Sequence, residues 1–230
     1  MKEILVKTGY DPIKITVRED SNDDEPIIKE IFEENVYKLH DNFFQGGFDQ
    51  VVLDVGANIG VFTLNVLLRA KENGMPVKIY AIEPEPNNLK LLIQNLEQND
   101  WLFGASQVII IKQGMSDKPG KAFINNAHGS SRLSEAGSKI DLITLDQLVE
   151  EEKIKEIAFA KFDIEGSEVP TILAASDETI DKIHRTAIEF DEHNGLDKFA
   201  EVINRFGRKC QIQTLGVPAR GCYIYTERFE

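Results

Sequence analysis

The stretch VVLDVGANIGVFTL (51–64) decides how the rest of the chain is read. An apolar run ends at Asp54, turns through Gly56 and Gly60, and resumes as an apolar pattern at helical spacing. That is the pattern of a buried strand feeding a glycine turn that opens a helix. The next unit repeats it, because VKIYAIEPEP (77–86) is a second apolar run that also finishes in an acid, Glu83. Working outward, a strand over 50–54 leads to a helix over 59–72, with Ile59, Phe62, Val66 and Ala70 on one face. A strand over 77–82 leads to a helix over 86–98, where Leu89, Leu92, Ile93 and Leu96 share a face and Pro86 suits the first turn. Further strands are expected over 107–113, 184–191 and the apolar part of IAFAKFDIEGSE (157–168), ending near Asp163, with a helix after Gly166. DLITLDQLVEEE (141–152) reads as a short strand and a helix, and 195–206 as a helix. Two last strands, 209–215 and 221–227, are joined around Gly216-Val217-Pro218. Repeated strand–helix units imply a mostly parallel sheet with helices on both faces. The last two strands lie too close in sequence for a parallel crossover, which takes about a dozen residues. One antiparallel strand is therefore expected near the C-terminus.

Upstream, 3–8 and 13–18 read as short strands around Asp11-Pro12, and 27–39 as a helix with Ile28, Ile31, Phe32 and Val36 at helical spacing. Residues 1–49 are read as an N-terminal cap on a domain spanning 50–230. EDSNDDEP (19–26) reads as a solvated acidic loop, and the polar, Ser/Gly-rich 125–139 as a long loop, either functional or disordered. The 42% hydrophobic content of the 230 residues is ample for a packed core, and the net charge of −13 speaks against a general phosphate-backbone binder. No apolar run approaches the roughly 18 residues of a membrane span. The N-terminus shows no secretory pattern, so a cytoplasmic protein with no membrane partner is expected. Cys210 and Cys222 read as reduced thiols, with a disulfide across the last hairpin as the alternative.

The strand ends carry the chemistry. Asp54, Glu83, Asp117 and Asp163 fall at or just beyond C-terminal ends of strands, with Asp191 a candidate fifth. Ligands of open α/β sheets bind at that edge. S-adenosyl-L-methionine presents an ammonium, a sulfonium, two ribose hydroxyls and an adenine amine, all cationic or able to donate, and a row of carboxylates suits it. A dinucleotide brings a pyrophosphate, which needs backbone N–H groups at a helix N-terminus and a third glycine. The turn here is Gly56-Ala57-Asn58-Ile59-Gly60. In the reading with S-adenosyl-L-methionine, Gly56 lets the backbone approach the methionine moiety. Asn58 beside Ala57 tolerates positive φ, and Gly60 permits tight helix–cofactor packing. Asp54 orients the ammonium, directly or through water. Glu83, followed by Pro84, accepts both ribose hydroxyls, and Ser116 and Asp117 meet the adenine edge. Glu83 alone fits a dinucleotide site equally well, so a nicotinamide-dependent oxidoreductase stays open at this point.

Four stretches carry a family resemblance: LDVGANIGVFTL (53–64), AIEPEPNNLKLLIQNL (81–96), GMSDKPG (114–120) and KFDIEGSEVPTIL (161–173), with TLDQL (144–148) and GSSRL (129–133) also fitting. On these the chain resembles the FkbM family of S-adenosylmethionine-dependent methyltransferases over roughly residues 28–195. The first motif alone is shared by many methyltransferases, and D-I-E-G-S-E makes the match more specific. The resemblance implies a Rossmann-like class I methyltransferase fold, α/β, with seven strands in the order 3-2-1-4-5-7-6. It also implies O-methylation, commonly of a hydroxyl on a sugar or natural-product scaffold.

Methyl transfer is an in-line displacement whose main demand is alignment, and an alcohol acceptor also benefits from a general base. Asp163 is the leading candidate for base or acceptor-orienting group, with Glu165 and Glu168 as alternates. Glu168 has a second reading, as a favourable charge in the first turn of a helix. No resident metal is expected, although a divalent cation held by Asp163 with Glu189 or Asp191 is an alternative arrangement. His193 and His128 could face the pocket, His40 and His184 have no evident role, and Trp101 reads as a packing residue. Phe43, Phe44 and Phe48 fit core, pocket wall or interface equally. The expected partner is a small-molecule hydroxyl acceptor and not a nucleic acid. A protein that binds the cofactor without catalysis, and an RNA-directed enzyme disfavoured by the acidic composition, are the remaining alternatives.

Overall fold

The computed structural model describes residues 1–38, 50–127, 130–134, 136–190, 195–207, 210–216 and 222–228. Expectations placed on His40, Phe43, Phe44, Phe48, His128, Asp191, His193 and the Val217-Pro218 turn lie outside the described residues.

Two N-terminal strands, β1 (Lys2–Val6) and β2 (Ile13–Val17), form an antiparallel pair, followed by helix α1 (Asp24–Phe32). The alternating part begins with β3 (Val51–Val55), α2 (Val61–Asn73), β4 (Lys78–Ile82), α3 (Pro86–Glu97) and β5 (Gln107–Ile111). Next come β6 (Gly114–Met115), β7 (Gly120–Ala127), β8 (Ser130–Ser134), β9 (Ser138–Ile143) and α4 (Leu145–Glu151). The chain then runs through β10 (Phe159–Phe162), α5 (Glu168–Ala174), α6 (Asp177–Asp181), β11 (Arg185–Phe190), α7 (Gly195–Phe206), β12 (Cys210–Gly216) and β13 (Cys222–Arg228). The main sheet has seven strands in the order β12-β13-β11-β10-β3-β4-β5. Numbered within that sheet, this is the 3-2-1-4-5-7-6 order. All neighbours are parallel except those of β13, which runs antiparallel to both β11 and β12.

Period-two alternation sorts the strand residues onto two faces. Val52, Ile79, Ala81, Phe159 and Ala187 join one core cluster with residues of β2, α1, α2 and α3. Leu53, Val55, Tyr80, Ile82, Ala160, Phe162 and Ile188 join the other, with residues of α4, α5, α6 and α7. Both faces are covered, so β3 is buried at every position, as a central parallel strand should be. The same alternation puts Asp54, Lys161, Asp163 and Glu189 on the α1–α2 face. Register then sets them side by side, since Lys161 pairs with Asp54 and with Ala187.

Several local expectations are corrected. The first helix starts at Asp24 and ends at Phe32 instead of running over 27–39, and Asn35 beyond it has φ 49, a conformation that stops a helix. The acidic segment 19–26 is not wholly solvated, because Asp24 is fully buried against Arg18. The 125–139 stretch is largely strand: β7 and β8 pair antiparallel, β7 pairs with β9, and β6 joins β9 in a four-stranded sheet. A polar run of this kind carries no apolar alternation to announce a strand, but the ladder still satisfies its backbone groups. Helix α6 went unread because it spans only Asp177–Asp181, with Ser176 as its N-cap.

Cys210 and Cys222 are both free and buried. Register pairs Cys210 with Arg228 and Cys222 with Gly216, so they sit at opposite ends of the hairpin. Facing cysteines would need the hairpin centred at 216, whereas this register centres it at 219, and no disulfide can span the resulting distance. Trp101 packs as expected, with its ring 6.4 Å from that of Tyr10. Among the described residues no helix is long and apolar enough to cross a membrane.

Candidate active site

A cleft of about 280 Å³ opens at the C-terminal ends of β3, β4, β10 and β11, with α1 on one side and Ile124 and Ile140 of the four-stranded sheet on another. Six carboxylic residues line it: Asp23, Glu30, Glu83, Asp163, Glu165 and Glu189. None of the described lining residues is Lys, Arg or His.

The glycine turn forms the floor. The backbone N–H groups of Gly56 and Ala57 both donate to the Ile82 carbonyl at 3.0 Å, which ties the turn to the end of β4. Gly56 has φ 86, and a Cβ there would lie 1.7 Å from the Asp163 carbonyl oxygen. Its glycine is therefore required by the approach of the neighbouring strand end, a cause separate from any contact with the methionine moiety. Gly56→Ala should cost about 2–3 kcal/mol, from overpacking and positive φ together, read as a lower urea midpoint. A midpoint equal to that of the parent would overturn this account. Gly60, at φ 90, faces Leu92 of α3, whose Cδ1 would be 2.6 Å from an added Cβ. Its closeness serves helix packing, and the expectation of helix–cofactor packing is corrected there. Asn58 adopts φ 49 and lines the cleft. Ala57 is buried in the core cluster beneath.

Glu83 follows β4 and is 4% exposed. Its Oε2 accepts from the Asn58 N–H at 2.8 Å, and its Oε1 accepts from the Glu85 N–H at 2.8 Å and from Asn88 Nδ2 at 3.4 Å. One side chain thus joins the glycine turn to the N-terminus of α3. Burial pushes its carboxyl up to about 7, and these hydrogen bonds, which favour the ionised form, hold it from rising further. A carboxylate has about four acceptor positions, and with three of them taken one position on Oε2 is left for a donor in the cleft.

Asp54 is fully buried and does not line the cleft. Its Oδ2 accepts from Thr63 Oγ1 at 2.6 Å, and its Oδ1 lies 3.2 Å from Lys161 Nζ. The expected strand-end acid is therefore engaged beneath the site instead of facing a ligand. Lys161, which sequence reasoning missed, is its partner. Its ammonium also donates to the Gly56 carbonyl at 2.8 Å and stands 3.4 Å from Asp163 Oδ2. Burial alone would lower the Lys161 pKa, but Asp163 and Asp54 reverse the sign and keep the ammonium charged. A lysine alternating with core residues in KFDIEGSE was the available signal.

Asp163 lines the cleft just past β10. Tyr37 Oη donates to its Oδ2 at 2.7 Å. The Tyr37 ring is held edge-on by Phe62 and Tyr223, at centroid distances of 5.2 and 5.9 Å. Burial would raise Asp163, but Lys161 and the hydrogen bonds from Glu189 and Tyr37 bring it below the usual carboxylate range. Glu189 moves the opposite way. The Asp163 charge beside it, then burial, push its carboxyl far up, so it keeps its proton and hydrogen-bonds to Asp163. Tyr223 next to this pair is raised by burial and by Glu189. The suggested cation site is thus half assembled: Asp163 and Glu189 meet, with the Lys161 ammonium already beside them. Among the described residues no three His, Cys, Asp or Glu converge as metal ligands.

Glu165 lines the cleft in a left-handed turn, φ 58. Glu168 does not line it. Its carboxylate accepts from the backbone N–H groups of Ile164 and Gly166, so it shapes the turn that presents Asp163 and Glu165. Burial raises Glu168 to about 7. Near β6 the lining residues are Gly114 and Met115. Ser116 is buried and donates to exposed Asp117 at 3.0 Å, and neither lines the cleft. Pro84 does line it. His184 lies away from the cleft, 3.7 Å from Glu156.

The sheet order, the acid-lined cleft and the glycine turn can now be set beside known proteins. Residues 54–212 match the model of the methyltransferase FkbM domain, more than half of the chain. The AMB antimetabolite synthetase AmbE of Pseudomonas aeruginosa is 24% identical over a stretch covering 84% of this chain and 11% of the synthetase. The methyltransferase FkbM of Methylobacillus flagellatus shares the fold at a TM-score of 0.60 and 19% identity, covering 86% of this chain and 47% of that one. SMU.1697c of Streptococcus mutans, solved in complex with SAH, matches at a TM-score of 0.51 and 13% identity, over 82% of this chain and 95% of that one. The chain thus spans 11% and 47% of the first two relatives. The nicotinamide alternative falls away, since neither the glycine turn nor the acidic lining suits a pyrophosphate and the family is a different one. The chain has the class I methyltransferase fold and belongs to the FkbM family of methyltransferases, whose cofactor is S-adenosylmethionine.

Proposed function

We propose that this protein is an O-methyltransferase acting on a hydroxyl of a small-molecule acceptor, a sugar being the leading class, in the cytoplasm. The observation that carries the reading is the lining of the cleft, six acidic residues and no basic one among those described. Such a lining suits a cationic, donor-rich nucleoside and disfavours phosphate-rich acceptors. When bound, S-adenosylmethionine supplies a methyl group on a sulfonium, already activated for displacement.

The chain's own residues supply position and charge. Glu83 would take a ribose hydroxyl on its one remaining acceptor position, on Oε2, with Asn58, Pro84, Gly114 and Met115 as the surrounding walls. Asp163 would accept the hydrogen bond of the acceptor hydroxyl and hold it in line. Its depressed pKa makes it a weak base, suited to orientation more than to early proton abstraction. Lys161 and Tyr37 fix its carboxylate, and the protonated Glu189 leaves it as the charged member of the pair. Glu165 borders the same space. Residues 1–49 act in this reading as a cap that contributes Asp23, Pro26, Ile27, Glu30 and Tyr37 to the wall.

Asp163→Asn should lower kcat about a hundredfold while changing the Kd for S-adenosylhomocysteine less than about threefold. Unchanged turnover on an active acceptor would remove Asp163 from the chemistry. The pH dependence follows from Glu83. Its ionised form is the better acceptor, and its carboxyl titrates at about 7 in the unliganded protein. Binding should therefore tighten as pH rises from 6 to 8 and level off above, with proton release at pH 6.5. A Kd independent of pH across that range would contradict the role given to Glu83.

A further inference from the structure

Glu83 does not stand alone. Both asparagines that donate to it, Asn58 and Asn88, also meet a single guanidinium from the N-terminal segment. Arg18 Nη1 donates to Asn88 Oδ1 at 2.6 Å, and its Nη2 donates to Asn58 Oδ1 at 3.2 Å. The other side of the fork is fixed by Asp24, whose Oδ2 accepts from Arg18 Nε at 3.0 Å and from the Arg18 backbone N–H at 2.8 Å. Asp24 Oδ1 completes a bidentate pair with Arg18 Nη2 and also accepts from Ser21 Oγ at 3.0 Å. Asp24 is fully buried and the Arg18 side chain is 14% exposed.

We infer that Arg18 is a positioning residue for the nucleoside end of the cleft, acting on Glu83 through Asn88 and Asn58. An asparagine amide has one acceptor end and one donor end. With Arg18 holding the Asn88 oxygen, the Asn88 amide nitrogen must face Glu83 Oε1. Without Arg18, only the ionised Glu83 carboxylate holds the amide this way round, and a protonated Glu83 lets it turn its oxygen toward the carboxyl, so the hydrogen bond that favours the ionised form is no longer fixed in place. At Asn58 the same fork holds the side chain of the left-handed residue whose backbone N–H meets Glu83 Oε2. A lysine could not make these contacts, because it lacks the planar fork that reaches two acceptors at fixed angles. Arg18 and Asp24 lie outside residues 54–212, the part matched by the family model. The N-terminal segment would thus be part of the cofactor apparatus.

The inference rests on the reading of the cleft as a nucleoside site, and the experiment separates the two. S-adenosylhomocysteine is titrated calorimetrically into the parent, Arg18→Lys, Arg18→Met and Asn88→Ala between pH 6 and 8.5. The groups facing Glu83 besides Asn58 and Asn88 are Glu85, from the N-terminus of α3, and the Arg18–Asp24 pair behind the amides. Each variant should bind about tenfold more weakly at pH 7, the loss of roughly one charge-assisted hydrogen bond. The midpoint of the pH dependence should also move upward, because the ionised Glu83 has lost a donor. Arg18→Met should add less to Asn88→Ala than it costs the parent, the remainder passing through Asn58. A merely structural Arg18 would lower Tm and leave the pH midpoint and the Kd of the folded fraction unchanged, and that outcome would overturn the inference. If Arg18→Met does not fold, Arg18→Lys and Asn88→Ala carry the test by the same two readouts. If the parent itself fails to bind S-adenosylhomocysteine, the reading of the cleft falls first and the inference with it.

Discussion

Lys161→Met is expected to lower the stability of the protein by about 3–5 kcal/mol, the usual consequence of removing one partner from a buried ion pair. For a chain of this size that corresponds to a fall in Tm on the order of 10 °C. Three groups lose a partner at once. Asp54, with no exposed surface, keeps only Thr63 among the described side-chain partners. The Gly56 carbonyl loses its donor, and Asp163 loses its nearest positive charge. Methionine fills much of the same volume, so the effect isolates charge and hydrogen bonding from packing. Adding Asp54→Asn to Lys161→Met should recover part of the loss, since one buried negative charge is then gone. Thermal unfolding and urea titration of the two variants check this together. A single variant within 1 kcal/mol of the parent would mean that the buried pair is replaceable by apolar contact and does not organise the strand ends.

Glu83→Ala is expected to abolish measurable binding of S-adenosylhomocysteine, with a loss of roughly 3–4 kcal/mol, on the order of several-hundred-fold in Kd. Two effects combine. The acceptor proposed for the ribose disappears, and the backbone N–H groups of Asn58 and Glu85 lose the carboxylate that ties their two turns together. Glu83→Gln separates them. The amide oxygen can satisfy one of the two turns, so it should fold close to the parent yet bind at least tenfold more weakly, and its affinity should no longer depend on pH near 7. Calorimetric titration with NAD as the control ligand reads both. Retained binding in Glu83→Ala would place the nucleoside elsewhere in the cleft.

The parts of this protein legible in its sequence are those governed by local periodicity and chain length. The strand–turn–helix at 51–64, its repeat at 77–98 and the short final hairpin led to a mostly parallel sheet with one antiparallel strand, because alternation and crossover length are local properties. Asn58 at positive φ was likewise readable, since that preference belongs to the residue itself. The polar strands β7 and β8 were not, because β7 is selected by pairing with β9 and β8 by pairing with β7, and neither by its own hydrophobicity.

At the site, sequence could place acids at strand ends but not say which way each is satisfied. Asp54 and Glu83 occupy equivalent positions after an apolar run, yet one is neutralised below the sheet edge by Lys161 and the other faces the cleft. What separates them is register. Lys161 comes from a strand more than a hundred residues away and pairs opposite Asp54, a fact no local pattern contains. Glu168 and Glu165 lie three residues apart, and only the turn geometry sends one into backbone N–H groups and the other into the cleft. The same holds for Arg18, whose role depends on Asn88, brought to it by the packing of β2 against α3, and on Asn58 of the glycine turn. Sequence by itself determined the alternating strand–helix elements and the acidic edge of the sheet, because those follow from short-range sterics and hydrophobic period. The tertiary structure alone decided the charge state and direction of each acid, because desolvation and Coulomb energy depend on neighbours that the chain supplies from afar.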